Sequence, residues 1–295
     1  MRGARPESLI EQSIEREGIV RRGERIVVAC SGGADSVALA AALAAVAKPM
    51  QLALTIVHVN HGLRASGWQD ECVALRVAAT FELPVEIVAL DPGATGEAAL
   101  RERRYAALDA AAGRVDATAV ATAHHAEDQS ETVLLALFRG AGPDGLTGMR
   151  PRRSLRPGLD VVRPLLAFSA ETVLSYCHAH ALPYAIDPTN ADAGYRRNAV
   201  RSALEALRPL FPGLDEAVAR AAGLIGDESE DGKRADLRRR VRDRLAVEDA
   251  LRDVDFTHVE AAVRAMESGR SGSFLMKTGV TLKIEGGAIA GITKQ

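Results

Sequence analysis

Aromatic residues make up only 4% of this 295-residue chain. A core of that size must then come from small aliphatic side chains, and the abundance of alanine favours helices packed on a sheet. Only five of the 37 basic residues are lysine. Genome base composition alone produces such a bias, so arginine preference by itself carries no functional weight. The three cysteines, Cys30, Cys72 and Cys177, lie far apart, and no C-x-x-C pair occurs. That excludes a zinc knuckle or iron–sulfur site built on such a pair, and it fits a reducing compartment. No apolar signal core opens the chain, and no apolar run reaches membrane-spanning length. A soluble cytoplasmic protein with no membrane contact is expected. A net charge of −2 argues against a uniformly basic nucleic-acid coat but leaves room for a local basic face. No G-x-x-x-x-G-K-[ST] loop is present.

What is present is a repeated alternation of short apolar strands and helices. Strands are expected at 25–30, 52–60, 84–90 and 117–125. Helices are expected at 7–18, 35–47, 66–80, 96–113, 127–140, 169–180 and 195–208. This pattern predicts an α/β fold with a doubly wound, mostly parallel sheet. Ligands in such sheets sit at the carboxyl ends of the strands. Three polar clusters fall there: Ser31–Ser36, His58–Arg64 and His124–Asp128. The Gly/Pro/Arg-rich run 140–158 reads as a surface loop. "RPLFPGL" at 208–214 marks a domain boundary. The remainder, 215–295, reads as a small, mainly helical domain ending in a β-hairpin.

The stretch "SGGADS" at 31–36 joins the first strand to the first long helix. Paired glycines let successive N–H groups face one hollow, a nest for phosphate oxygens, and the helix start adds positive potential. A plain strand–helix turn capped by Asp35 or Ser36 is the alternative. An aspartate beside phosphates needs a cation between them, which fits Mg²⁺ on a pyrophosphate. Arg101 and Arg104 share a helix face, able to grip a phosphate or a base; a solvated charged face is the rival reading. His125 and Asp128 open a helix, either as caps or as a site pair.

"SGGADS" after a strand resembles the signature of the PP-loop ATP pyrophosphatases. "HVNHGLR" (58–64), "EAALRERRY" (97–105), "TAHHAEDQSETVLLALFRGAGPDGLTGM" (122–149) and "PYAIDPTNADAGYRRNAVR" (183–201) follow in order. Together they resemble the tRNA(Ile)-lysidine synthetases over residues 20–215. Members commonly read Asp-Asp where this chain has Glu127-Asp128. Many carry a further C-terminal domain, expected to be absent here.

The resemblance implies a reaction and a set of roles. ATP adenylates the C2 oxygen of the wobble cytidine in an isoleucine tRNA with a CAU anticodon. Free L-lysine then displaces AMP. Residues 1–214 become the PP-loop catalytic domain, and 215–295 a candidate tRNA-binding domain. Ser31, Gly32, Gly33, Ala34, Asp35 and Ser36, with His58 and His61, are expected at the nucleotide, and Asp35 at Mg²⁺. Asp35, Arg101, Arg104, His125 and Asp128 are the catalytic candidates, with Asp128 or His125 accepting the lysine proton. Glu131 is expected to hold the lysine ammonium. Arg196, Arg197, Asn198 and Arg201 are expected to bind substrate. Arg150, Arg152, Arg153 and Arg156 are expected to flank the site mouth. Arg238–Arg240, Arg242 and Arg244 contact the tRNA body or form solvated surface. A homodimer is compatible with the sequence. A PP-loop thiolase of the 2-thiocytidine type and an inactive nucleotide- or RNA-binding regulator are the alternatives.

Overall fold

The computed structural model describes residues 7–60, 62, 67–90, 96–185, 195–230, 256–275 and 280–294, with positions 237, 240, 241 and 244. The chain divides into two compact units, Met1–Gly223 and Leu224–Gln295.

The first unit is built on six strands: β1 (Arg25–Ala29), β2 (Ala53–Asn60), β3 (Val85–Ala89), β4 (Ala119–Ala121), β5 (Arg152–Arg156) and β6 (Leu159–Val162). Their order is β3-β2-β1-β4-β6-β5. All neighbours are parallel except β5 and β6. The first strand shows why the sheet is two-sided. Ile26 and Val28 pack into one core and Val27 into the other, as a side-chain period of two requires. Apolar residues at every position are what a strand covered on both faces needs.

One face is covered by α1 (Glu7–Arg16), α2 (Ala34–Met50), α3 (Gly67–Thr80) and α7 (Ala170–Ala179). The other carries α4 (Glu97–Arg114), through Leu108, Ala111 and Ala112. In α2 a run of buried alanines lets the helix lie close on the sheet. The remaining helices of this unit are α5 (Ala126–Leu137), α6 (Pro143–Leu146) and α8 (Tyr195–Leu207), with α9 (Leu214–Glu230) running across the division.

The second unit contains α10 (Phe256–Glu267) and an antiparallel sheet of β7 (Gly272–Leu275), β8 (Val280–Glu285) and β9 (Ala288–Lys294). Three strands replace the expected hairpin. Val259, Val263, Met266, Leu282 and Ile284 form its core. The β8–β9 turn is Gly286-Gly287, with φ of 56° and 79°. Two positive φ angles in a row suit the right-handed twist of a tight hairpin. Among the described residues no helix is long and apolar enough to cross a membrane.

The run 140–158 is not a loop throughout. Residues 143–146 form α6 and 152–156 form β5, the antiparallel edge of the sheet. "RRSLR" has little strand propensity of its own; pairing with β6 decides its conformation. Arg152 is also displaced from its expected role at the site mouth. Its guanidinium contacts Glu24 at 2.7 Å and Asp160 at 2.7 Å, and donates to the Ile19 carbonyl at 2.9 Å. It stitches the segment before β1 to the sheet edge. Arg152→Met should therefore cost about 3 kcal/mol, since it strands two part-buried carboxylates. A chemical-denaturation curve will show this as a lowered midpoint. An unchanged midpoint would return Arg152 to the surface.

Candidate active site

The chain runs outward from β1 to β2 and β3, then crosses to β4 and β6 on the other side. The order therefore reverses between β1 and β4. A crevice opens at that point beyond the strand ends. The loop after β1 and the loop after β4 face each other across it.

The β1 loop is held in shape from within. Ser36 is buried, donates to the Gly33 carbonyl at 2.9 Å and accepts from the Ser31 backbone N–H at 3.1 Å. The Ser31 hydroxyl also reaches it, at 3.2 Å. Ser36 thus braces the loop from within. Gly32 has φ of +91°, and a Cβ there would lie 2.9 Å from the Asp70 Cα. Both facts demand glycine. Gly33 caps α2 in an extended conformation. The first N–H groups of α2 then lack intrahelical acceptors and carry the helix's positive end. His58 is 3% exposed, with Nδ1 at 2.8 Å from the Cys30 carbonyl. It ties the end of β2 to the end of β1. His61 lies outside the described residues.

The β4 loop brings His125 to the same point. Its Nε2 lies 3.8 Å from Asp35 Oδ2 and 3.6 Å from Asp128 Oδ2. Its Nδ1 lies 3.0 Å from Glu127 Oε2, close enough for an ion pair though off-line for a hydrogen bond. Burial lowers the imidazole pKa, but the Glu127 contact and the charges of Asp128 and Asp35 outweigh it. The result is a rise to about 9. His125 is therefore an imidazolium at neutral pH. That charge state disfavours the neutral ring a general base requires. Its backbone N–H donates to Asp128 at 3.1 Å, closing the start of α5.

The Asp35 pKa is raised, first by burial; the His125 cation lowers it, and Asp128 and Glu127 raise it. Asp35 is also the most open of the three carboxylates, at 45% side-chain exposure against 17% for Glu127 and 23% for Asp128. An open carboxylate whose charge is disfavoured is suited to an arriving cation. Among the described residues no group of three or more His, Cys, Asp or Glu forms a metal cage. The donor set fits a cation shared with phosphate oxygens and water, as Mg²⁺ commonly is.

The PP-loop domain model matches residues 6–207. The chain belongs to the PP-loop family. A tRNA(Ile)-lysidine synthase of Salinispora arenicola is 47% identical over 211 residues, covering 69% of this chain and 63% of that protein. Those of Ralstonia nicotianae and Streptomyces coelicolor are each 42% identical, covering 68% and 75% of this chain. The chain matches only 45% and 64% of their respective lengths. A solved U34-tRNA thiolase of Methanococcus maripaludis shares the fold, with a TM-score of 0.64 at 17% identity over 75% of this chain and 78% of its own.

Glu127 was not foreseen as a PP-loop site residue. Both its oxygens lie 2.9 Å from the Ala170 N–H, at the first residue of α7. Burial raises its pKa, but His125 and the Ala170 N–H more than reverse this, and the net shift is downward. Glutamate, one methylene longer than aspartate, spans from His125 to that helix end. Cys177 on α7 donates its thiol to the Ala34 carbonyl at 3.3 Å. Thus α7 supports the first turn of α2 directly.

Glu131 departs from expectation. It is 3% exposed, and Arg197 Nε and Arg201 Nε reach its two oxygens at 2.8 and 2.7 Å. Two guanidiniums already neutralise this carboxylate, so it joins α5 to α8, an arrangement that does not favour the expected contact with the lysine ammonium. Arg197 and Arg201 are engaged in that bridge. Asn198 follows on the same helix and has a partner of its own. The Arg196 side chain, and Arg238, Arg239 and Arg242, lie outside the described residues. Glu131→Gln leaves two guanidiniums facing a neutral amide. It should lower the thermal midpoint, by about 3 kcal/mol of stability. Full stability together with a raised lysine KM would restore the substrate role.

Proposed function

We propose that the protein is an ATP-dependent carbon–nitrogen ligase that makes lysidine in a CAU-anticodon isoleucine tRNA. Identity of 42–47% to lysidine synthases, over the stretch that builds the crevice, carries the reading. ATP enters with its pyrophosphate against the N–H groups at the start of α2. Asp35 would hold Mg²⁺, which would supply positive charge to the ATP phosphates. The C2 oxygen of the wobble cytidine attacks that phosphorus and pyrophosphate leaves. Arg101 and Arg104 face the crevice from α4 and stabilise the developing charge; one well-placed donor is worth about 3 kcal/mol.

Free L-lysine then attacks C2 and AMP departs. The amine must lose a proton. With His125 already protonated, Asp128 is the acceptor, and the imidazolium beside it neutralises the carboxylate cluster. A cytoplasmic location goes with the tRNA substrate of the synthases it resembles. A homodimer remains part of the proposal only as a state to be weighed by light scattering.

The thiolase alternative needs a reactive sulfur. Burial raises the Cys30 thiol, and burial with the Asp35 charge pushes Cys177 up to about 11. Neither is poised as a thiolate. Lysine-dependent AMP release with the tRNA tests the ligase reading; sulfur incorporation, or no turnover of either kind, would refute it. Asp35→Asn sharpens the test. Because ionised Asp35 is disfavoured in the folded state, the amide should leave the thermal midpoint equal or higher. AMP release should fall roughly 100-fold or more. Near-normal release would make "SGGADS" a turn and nothing more.

A further inference from the structure

Tyr105 on α4 stands at the centre of a cationic cluster. The guanidinium carbons of Arg101, Arg104 and Arg153 lie 5.4, 5.9 and 5.9 Å from its ring centroid. Arg163, directly after β6, is 1% exposed and donates to the Arg150 carbonyl at 2.7 Å. Its Nε and the Tyr105 hydroxyl are both sealed from solvent, and Arg163 and Tyr105 interact with each other without a well-aligned hydrogen bond at those atoms. Among the described residues none of these four arginines forms an ion pair with a carboxylate. Arg152, Arg197, Arg201 and Arg208 all do. The neighbouring His124 registers the excess. Burial and then Arg163, Arg104 and Arg101 push its pKa down to about 2.

Buried positive charge without a counter-charge is costly, and a bound anion relieves it. The layout of the cluster selects the anion. Arg104 is at the inner end, within electrostatic reach of Asp128. Arg153 is at the outer end, exposed on edge strand β5. That strand is three positions from β1, roughly 14 Å at the usual strand spacing. A triphosphate seated on the β1 loop stays inside the crevice. A polynucleotide carries its phosphates onward from the nucleotide it inserts.

We propose that Arg153, with Tyr105 and Arg163 behind it, extends the Arg101–Arg104 face into a subsite for a backbone phosphate of the RNA beside the modified nucleotide. The inference rests on the RNA substrate proposed above. Arg163 acts as a positioning residue, and Arg153 makes the contact.

The test uses the full chain and a CAU-anticodon stem-loop RNA, followed by fluorescence anisotropy over a salt titration. Arg153→Glu should weaken RNA binding about tenfold or more and flatten the log K against log salt slope by about 1, with ATP affinity unchanged. Arg153→Lys should keep most of the slope, because a point charge still meets the phosphate. Wild-type RNA binding by Arg153→Glu, or loss of ATP affinity in place of RNA affinity, overturns the subsite. Failure of the wild-type chain itself to bind the stem-loop overturns the RNA reading and the subsite with it.

Discussion

The site depends on one protonated imidazole held among three carboxylates. His125 comes from the loop after β4, and Asp35 from the loop after β1. Glu127 and Asp128 come from the first turn of α5. The cation lets three acids converge without mutual repulsion pulling the crevice apart. Glu127 extends the arrangement to the start of α7, which in turn supports the first turn of α2 through Cys177. The sign of the linkage follows from the raised pKa. The stability His125 contributes is fully present below about 6.5 and is lost as pH rises through about 9.

Charge is arranged around the crevice in two opposed zones. Acids gather at the β1–β4 mouth, where a cation is needed. Four arginines that form no carboxylate ion pair among the described residues gather around Tyr105, beside β4 and β6, where the proposed phosphate subsite lies. Other arginines are neutralised and serve the fold, as Arg152 does with Glu24 and Asp160. Near-zero net charge thus coexists with a strongly polarised site.

The positions of β1 to β4 and the convergence of Ser31–Ser36 with His125–Asp128 were legible in the sequence, whereas β5 and β6 were not. Both follow from local pattern: apolar runs fix the strands, and polar residues at their ends fix the mouth. What was not legible depends on partners distant in sequence. Arg152 reads as loop charge until Glu24 is seen beside it, 128 residues away. Glu131 reads as a ligand until Arg197 and Arg201, 66 and 70 residues on, are found to occupy it. That Ser36 braces its own loop was not legible, because turn chemistry does not say which way a hydroxyl points. Arg163 directly follows the largely buried strand "LDVV" and shares its burial, which its charge alone does not suggest.

The ionisation state of His125 is the claim on which the rest stands. An NMR pH titration of the histidine ring protons, with His125 assigned by its absence in His125→Gln, measures it directly. The account predicts a midpoint near 9. A midpoint at or below the ordinary value of about 6.5 would leave His125 neutral, free to act as a base, and the three-carboxylate arrangement without its cation.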